Sequence, residues 1–466
     1  MAFMHPVKRV FDRLLNAPGQ TLFLGFALGA FGKQLGFKAS FTASPLEVQA
    51  ISDRKDTRAP VAQEMLRLNG IQVIFTQPDA RAAYLKAMLQ RHLGKPLQIQ
   101  VANQVAAKAL EHLLVAAQTS APAKADADLF SILQPVIEHA LLEAYLGAPL
   151  TQAVKTRLSS IPAAPVGIEG VGRVFAFALV SRGTRLERWL SPAVFGRLLK
   201  FCLPKVAATR DHHRAFSAVI RGYIVSRTHL NPDSWLGDLL ADFEDGRTSG
   251  DDLDGEIAGV YDMSYTLGIA AMWSVMCVAN HPEHQLKLRA QSQQERDPAE
   301  APPYNHARLC VLEAMRLYPP FYMLAYTDSQ QQTKKDSQLR PVCPLQRIGL
   351  RSGPANTVVS VQGLHRNPTV WQDANRFWPE RFQDVGSYEG KKITKGGFIP
   401  FGVGHRACPG RALSMAAIER LLLTLFGSES PVNMALLAGM PKPKRNALLM
   451  AQDPRVQVSL APRRQS

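Results

Sequence analysis

The stretch FGVGHRACPG at 401–410 constrains this chain more than any other. It sets Cys408 two residues after Arg406 and two before Gly410, with Gly402 and Gly404 upstream and Phe401 at its head. Immediately beyond comes RALSMAAIERLLLTLF, whose apolar residues recur at helical spacing. Pro409 stands at the start of that helix, where proline is well tolerated. Cys408 therefore lies near the positive end of a helix dipole, which favours a thiolate. The glycines let backbone N–H groups turn toward the sulfur without a Cβ clash. Arg406 adds a planar fork suited to a carboxylate. A glycine turn with an incidental cysteine is the plain alternative, and the ten-residue pattern is too demanding for it.

Composition bounds the rest. At 466 residues the chain exceeds the size at which one core usually stops growing, so length alone suggests two or three domains. Its 46% apolar and 20% charged residues are ordinary for a globular protein. A net charge of +16 favours an acidic partner, an anionic membrane surface or nucleic acid. No zinc-finger spacing, helix-turn-helix signature or aromatic-basic platform accompanies it, which argues against nucleic acid. The five cysteines (202, 277, 310, 343 and 408) are odd in number and scattered. That argues against a disulfide framework and for a reducing, cytoplasmic setting. Residues 1–35 form a separate amphipathic and apolar segment, ahead of one domain over 36–466. The apolar run TLFLGFALGAF is too short to span a bilayer. It packs on the body, rests on a membrane surface or is a cleaved signal.

The middle of the chain reads as helix. Residues 80–160 carry long Ala/Leu/Gln-rich segments, interrupted by APAKADAD. Further helical stretches over 187–245 are broken by Pro204 and HLNPDSW. Residues 255–280 make one long apolar segment without proline, stopped at His281-Pro282. Its first half is too polar for a membrane span, so it predicts a long buried helix. HARLCVLEAMRLYPP is a helix ended by Pro319-Pro320. Strand-like material is confined to TVVSVQ (357–362) and to parts of 321–350 and 440–462. The expectation is a mainly α fold with a small β contribution.

Two further patterns bear on Cys408. EAMR places Glu313 and Arg316 three apart on one helix face, close enough to pair. FWPERF then supplies Arg381 between that helix and the cysteine loop. A thiolate beside a carboxylate-binding arginine suits a haem iron with its propionates. Together with LYPP and HRNPTVWQDANRFWPERF, these motifs closely resemble the cytochrome P-450 family of haem-thiolate monooxygenases. They occur in the family's order across the C-terminal part of the chain, from about residue 255; the N-terminal half matches weakly.

The resemblance implies a cytochrome P-450 fold holding haem b (iron protoporphyrin IX) between the long central helix and the cysteine loop. Cys408 would be the iron ligand, with Arg406, Phe401, Gly402, Gly404 and Gly410 shaping the cofactor site. Glu313, Arg316 and Arg381 would form a structural triad. Counting back from His281-Pro282 puts the oxygen-side residue at Thr266. Tyr265 stands where an acid is usual, and Asp262, one turn earlier, is the nearest carboxylate. A register using AGVYD at 258–262 is the alternative. Tyr84 aligns with a propionate-binding aromatic; Met88 falls where a base is usual, leaving Lys86 or Arg91 as substitutes. Tyr326 stands near the place of a missing basic residue. The implied activity is insertion of one oxygen atom from O2 into a small apolar substrate. Electrons would come from an acidic ferredoxin or flavodoxin-type donor or a separate reductase, docking on Lys391, Lys392, Lys395, Arg411 and Arg420. The odd Asp262–Thr266 stretch favours a rival: a peroxide-driven or non-oxygenating enzyme (peroxygenase, isomerase, dehydratase). A non-catalytic haem sensor is the second rival.

Overall fold

The computed structural model describes residues 39–53, 57–58, 79–119, 127–162, 192–226, 228–294, 305–327, 356–383, 397–436, 439–446, 449–451 and 457–462. The N-terminal 1–35 segment, Cys343, Lys391, Lys392 and Lys395 lie outside them. The described helices are α1 (Pro45–Asp53), α2 (Asp79–His92), α3 (Lys95–Thr119), α4 (Leu129–Leu146), α5 (Gln152–Ser159), α6 (Pro192–Cys202), α7 (Pro204–Val225), α8 (Trp235–Glu244), α9 (Gly250–Ala279), α10 (Pro282–Gln294), α11 (His306–Leu317), α12 (Val361–His365) and α13 (Arg411–Phe426). Strands are short: β1 (Ala39–Thr42), β2 (Thr57–Arg58), β3 (Ala127–Asp128), β4 (Met323–Thr327), β5 (Asn356–Ser360), β6 (Val432–Leu436), β7 (Lys444–Asn446), β8 (Leu449–Ala451) and β9 (Gln457–Pro462).

The central helix α9 starts where Ser249 Oγ accepts the Asp252 N–H at 3.1 Å, and Asp251 and Asp252 complement its dipole. Its last helical residue is Ala279, just ahead of His281-Pro282. By length and composition it could cross a membrane, but 78% of its most apolar window is buried inside the protein. Helices α4, α7, α8, α11 and α13 pack around it, and Trp273 stacks on Tyr318 with ring centroids 4.0 Å apart. Pro204 separates α6 from α7. On α11, Asn305 Oδ1 caps the first turn by accepting the Arg308 N–H at 3.0 Å.

The larger sheet has order β1-β5-β4-β2, with β1 and β5 parallel and the other pairs antiparallel. Its register sets Ala39 opposite Asn356 and Met323 opposite Ser360. The strand expected over 357–362 stops at Ser360. There the Ser360 hydroxyl accepts the Gly363 N–H at 3.1 Å and starts α12, a local cap that apolar alternation does not reveal. Strands β1 and β2 were not foreseen either; each is only a few residues long and finds its partner far along the chain.

Two apolar clusters result. The large one surrounds α9 and takes in α3, α4, α11 and α13. The smaller one joins Val48 and Ile51 of α1, Tyr326 and Val359 of the sheet, Leu364 of α12, and Ile399 and Val403 of the cysteine loop. Burying each such aliphatic side chain contributes roughly 1.5–3 kcal/mol. This second cluster anchors the loop to the sheet.

Candidate functional site

The cysteine loop is held by its own backbone. The Gly402 N–H donates to Ile399 O at 3.0 Å, Ala407 N–H to Gly404 O at 3.1 Å, and Cys408 N–H to Phe401 O at 2.9 Å. Gly402 and Gly404 have φ of 73° and 66°, the left-handed region where a Cβ is strained. The sheet lies close beneath: a Cβ on Gly402 would sit 3.5 Å from the Tyr326 hydroxyl. Gly404 to Arg406 form a single 3-10 turn, and Gly410 is the N-cap of α13. A Cβ on Gly410 would come 3.9 Å from Cys408 Sγ, so the backbone there lies directly against the sulfur.

Burial raises the Cys408 thiol pKa. Three groups oppose that rise: the Gly410 N–H first, then the charges of Lys86 and Arg411. Lys86, from α2, donates to Ala407 O at 3.0 Å, which places its ammonium against the loop. Its own pKa is lowered, chiefly by burial, with Cys408 pulling the other way. Arg406 is buried, and Phe401 packs against the large core cluster. Arg411 is half-buried and Arg420 exposed.

Behind the loop lies a buried charge network. Arg316 Nε and Nη2 donate to the two carboxylate oxygens of Glu313 at 2.7 and 2.8 Å. Arg381 Nε and the Trp378 N–H donate to Glu313 Oε1 at 3.1 and 2.9 Å. Glu313, Arg316 and Arg381 thus meet although α11 and the Pro379–Phe382 turn are distant in sequence. Arg316 also lies over the Trp371 ring, 5.2 Å from its centroid.

On α9, the Thr266 hydroxyl donates to the main-chain oxygen of Asp262 at 2.8 Å. The Asp262 carboxylate turns to α7, its Oδ1 lying 3.1 Å from His213 Nε2. Asp262 Oδ2 is buried and has no hydrogen-bond partner among the described residues. Tyr265 packs edge-on against Phe130 of α4 at 5.3 Å, so its ring is part of the helix interface. Sequence reasoning missed His213 and Tyr145. The fully buried Tyr145 of α4 approaches Met263 Sδ at 3.9 Å. Burial raises the pKa of its phenol, and the neighbouring Cys408 raises it further. Neither residue belongs to a motif; a histidine and a tyrosine within apolar helices carry no local signal of what they will face.

Tyr84 differs from expectation. Its hydroxyl hydrogen-bonds both oxygens of Asp242 on α8, at 3.0 and 2.9 Å, and Arg81 lies over its ring. Asp242 is buried and draws the phenol across to α8, away from a propionate role. Of the two substitutes for a base at Met88, Lys86 reaches the cysteine loop, whereas Arg91 pairs with Asp238 at 3.2 Å. Met88 itself is buried.

Comparison with known proteins bears on this geometry. Residues 257–428 match the profile of the family described as Cytochrome P450. Human cytochrome P450 4F11 is 30% identical over 202 residues, covering 40% of this chain and 35% of the relative. Berbamunine synthase from Berberis stolonifera is 35% identical over 133 residues, 28% of this chain and 24% of the relative. Isoflavone 2'-hydroxylase from Glycyrrhiza echinata is 30% identical over 162 residues, 33% and 28% of the two chains. The matched region thus spans about a third or less of the length of these relatives. A crystal structure of a cytochrome P450 (CYP102L1) superposes with a TM-score of 0.60 at 18% identity, covering 91% of this chain and 89% of that one. The fold is shared along the chain, while the sequence match runs from the second turn of α9 through α13. That stretch holds the buried arginine network and the glycine-bound cysteine, and over it the chain is similar to the cytochrome P450 family, whose fold it shares.

Proposed function

We propose that the protein is a haem-thiolate monooxygenase that oxidises a small apolar substrate with dioxygen and electrons from a separate redox partner. The family's cofactor is haem b, and the residues present suit it. The observation that carries the reading is the setting of Cys408: a thiol that burial alone would keep protonated, faced by a backbone N–H and two cations. An iron centre would take that sulfur as thiolate. Arg406 would then pair with a propionate, and Lys86 is the second cation at the loop. When bound, haem would supply the chemistry of dioxygen activation.

The chain's own residues have three tasks in this reading. The loop holds the sulfur and shields it with Phe401, whose carbonyl accepts the Cys408 N–H. The network of Glu313, Arg316 and Arg381 keeps α11 and the 379–382 turn in place behind the loop. On α9, Thr266 and Asp262 would deliver protons. The acid comes from one turn earlier rather than from position 265, and His213 holds its Oδ1. An apolar substrate fits the partly buried Phe321, Met323 and Leu324, which lie on or next to β4 beside the loop. An acidic donor fits the basic excess and Arg411 and Arg420 on α13; Lys391, Lys392 and Lys395 lie outside the described residues. The cysteines described are all free, which supports a reducing, cytoplasmic setting.

The test is spectral and isotopic. The reduced protein with carbon monoxide should show the red-shifted Soret band of a thiolate ligand, and Cys408→His should lose it. With a donor and labelled dioxygen, one labelled atom should enter the product. A band retained in Cys408→His would end the ligand assignment. Turnover with hydrogen peroxide alone, and none with any donor, would favour the peroxide-driven reading.

A further inference from the structure

Away from the cysteine loop, α10, α11 and the 379–382 turn converge on side chains with metal-binding atoms. His284 of α10 and His306 and Cys310 of α11 are all buried, and their ligand atoms lie within 4.8 Å of one another. His284 Nδ1 stands 3.2 Å from His306 Nε2 and 3.7 Å from Glu380 Oε1. His306 and Cys310 are one turn apart on α11 and share its face. The spacing between the histidine nitrogens is what two ligands on one small cation require. Nitrogen, nitrogen, sulfur and carboxylate oxygen form a donor set that zinc accepts in tetrahedral sites.

We propose that His284, His306, Cys310 and Glu380 form a binding site for zinc, separate from the haem site. Charge supports it. A thiolate and a carboxylate would balance a divalent cation, so the filled site is neutral and can remain buried. Binding requires three events that balance. Cys310 loses its proton to solvent, Sγ bonds the metal, and Lys287, which now pairs with Glu380, releases it to the cation. Lys287 is half-exposed and can rehydrate its ammonium. The competing occupant of the space is the single proton of a His306–His284 hydrogen bond.

Filled, the site ties α10 and α11 to Glu380, the residue before Arg381, whose guanidinium holds Glu313. Zinc would thus brace the frame behind the cysteine loop without touching the cofactor. The experiment uses purified holoprotein stripped with a chelator and titrated with zinc against a chromophoric competitor, with iron and zinc counted separately by elemental analysis. One zinc per chain is expected, with a rise in melting temperature. Cys310→Ser and His306→Asn should each weaken zinc binding at least tenfold and lose the rise, while iron content stays at one. No zinc uptake by wild type, or variants that bind as tightly, would leave the plain hydrogen bond and overturn the site. If those variants fail to fold, Lys287→Ala carries the test. It should bind zinc more tightly, since the competitor for Glu380 is gone; unchanged affinity would refute Glu380 as a ligand and with it the four-ligand site.

Discussion

Arg316 and Glu313 meet through two parallel hydrogen bonds at 2.7 and 2.8 Å, and neither side chain has any exposed surface. The other three N–H groups of Arg316 donate to the carbonyls of His365, Ala374 and Arg376. All five donors of the guanidinium are therefore used. Arg316→Ala leaves Glu313 charged and buried beside only Arg381, which should cost roughly 3–5 kcal/mol. Arg316→Lys should fare little better, because three donors cannot reproduce a fork and three carbonyl contacts. Urea unfolding of the two variants checks this; a midpoint equal to wild type would mean the network contributes little to stability.

His365 ends α12, and its ring Nε2 accepts the Ile399 N–H at 2.8 Å, two residues before Phe401. Burial, helped by the charge of Arg316, pushes its pKa down to about 3. An unfolded histidine titrates near 6.5. Below that pH the unfolded chain takes up a proton that the folded ring refuses. The contribution is thus complete above about 6.5 and is lost as pH falls toward about 3, the loss there reaching on the order of 4 kcal/mol. His306, pushed down to about 4, acts with the same sign. Melting temperature should fall steadily from pH 7 to pH 4, and His365→Gln, whose amide oxygen can still accept the Ile399 N–H, should flatten that fall. An equal slope in the variant would locate the acid sensitivity elsewhere.

Lys86 and Cys408 are coupled: each appears among the charges acting on the other. Removing the ammonium in Lys86→Gln takes positive charge from beside the sulfur. In the free thiol the pKa should rise further, read from the pH dependence of alkylation in haem-free protein. In the haem-loaded protein the reduction potential should drop, since the extra electron loses a favourable charge. Potentials within error of each other would show that solvent screens Lys86 from the site.

Asp262 holds His213 with one oxygen and presents a second, buried oxygen that has no partner among the described residues. If this carboxylate and Thr266 deliver protons, Asp262→Asn and Thr266→Ala should each cost about 10²-fold in coupled product formation, at the low end for a positioned acid–base group. Donor-derived electrons would appear as hydrogen peroxide instead, and peroxide-driven turnover would survive better. His213→Gln should show a smaller loss of the same kind and a shifted pH profile, as befits a residue that positions Asp262. Full coupling in all three variants would remove this helix from the proton path.

The cysteine loop, the EAMR helix and the long central helix were legible in the sequence because each is a local device. Glycine at positive φ, proline at a helix start and a three-residue spacing of opposite charges act over a few residues. Their physics is therefore written in adjacent letters. The resemblance built on them also reached the mainly helical fold, the small sheet contribution and the family whose profile residues 257–428 match.

What the local letters could not settle were choices between distant partners. Tyr84 had a hydroxyl to satisfy, and only the packing of α2 on α8 decided that Asp242 would accept it. Asp262 shares a helix face with Thr266 by spacing, yet its carboxylate went to His213 because α7 lies across α9 at that turn. His284, His306, Cys310 and Glu380 are unremarkable in sequence, spread over three elements; tertiary packing alone brings the donor atoms of the first three within 4.8 Å of one another and sets Glu380 3.7 Å from His284. Backbone geometry and capping are set by neighbours along the chain, so the sequence by itself determined them. The partner of a buried polar atom is set by whichever surface folding presses against it, and only the tertiary structure decided that.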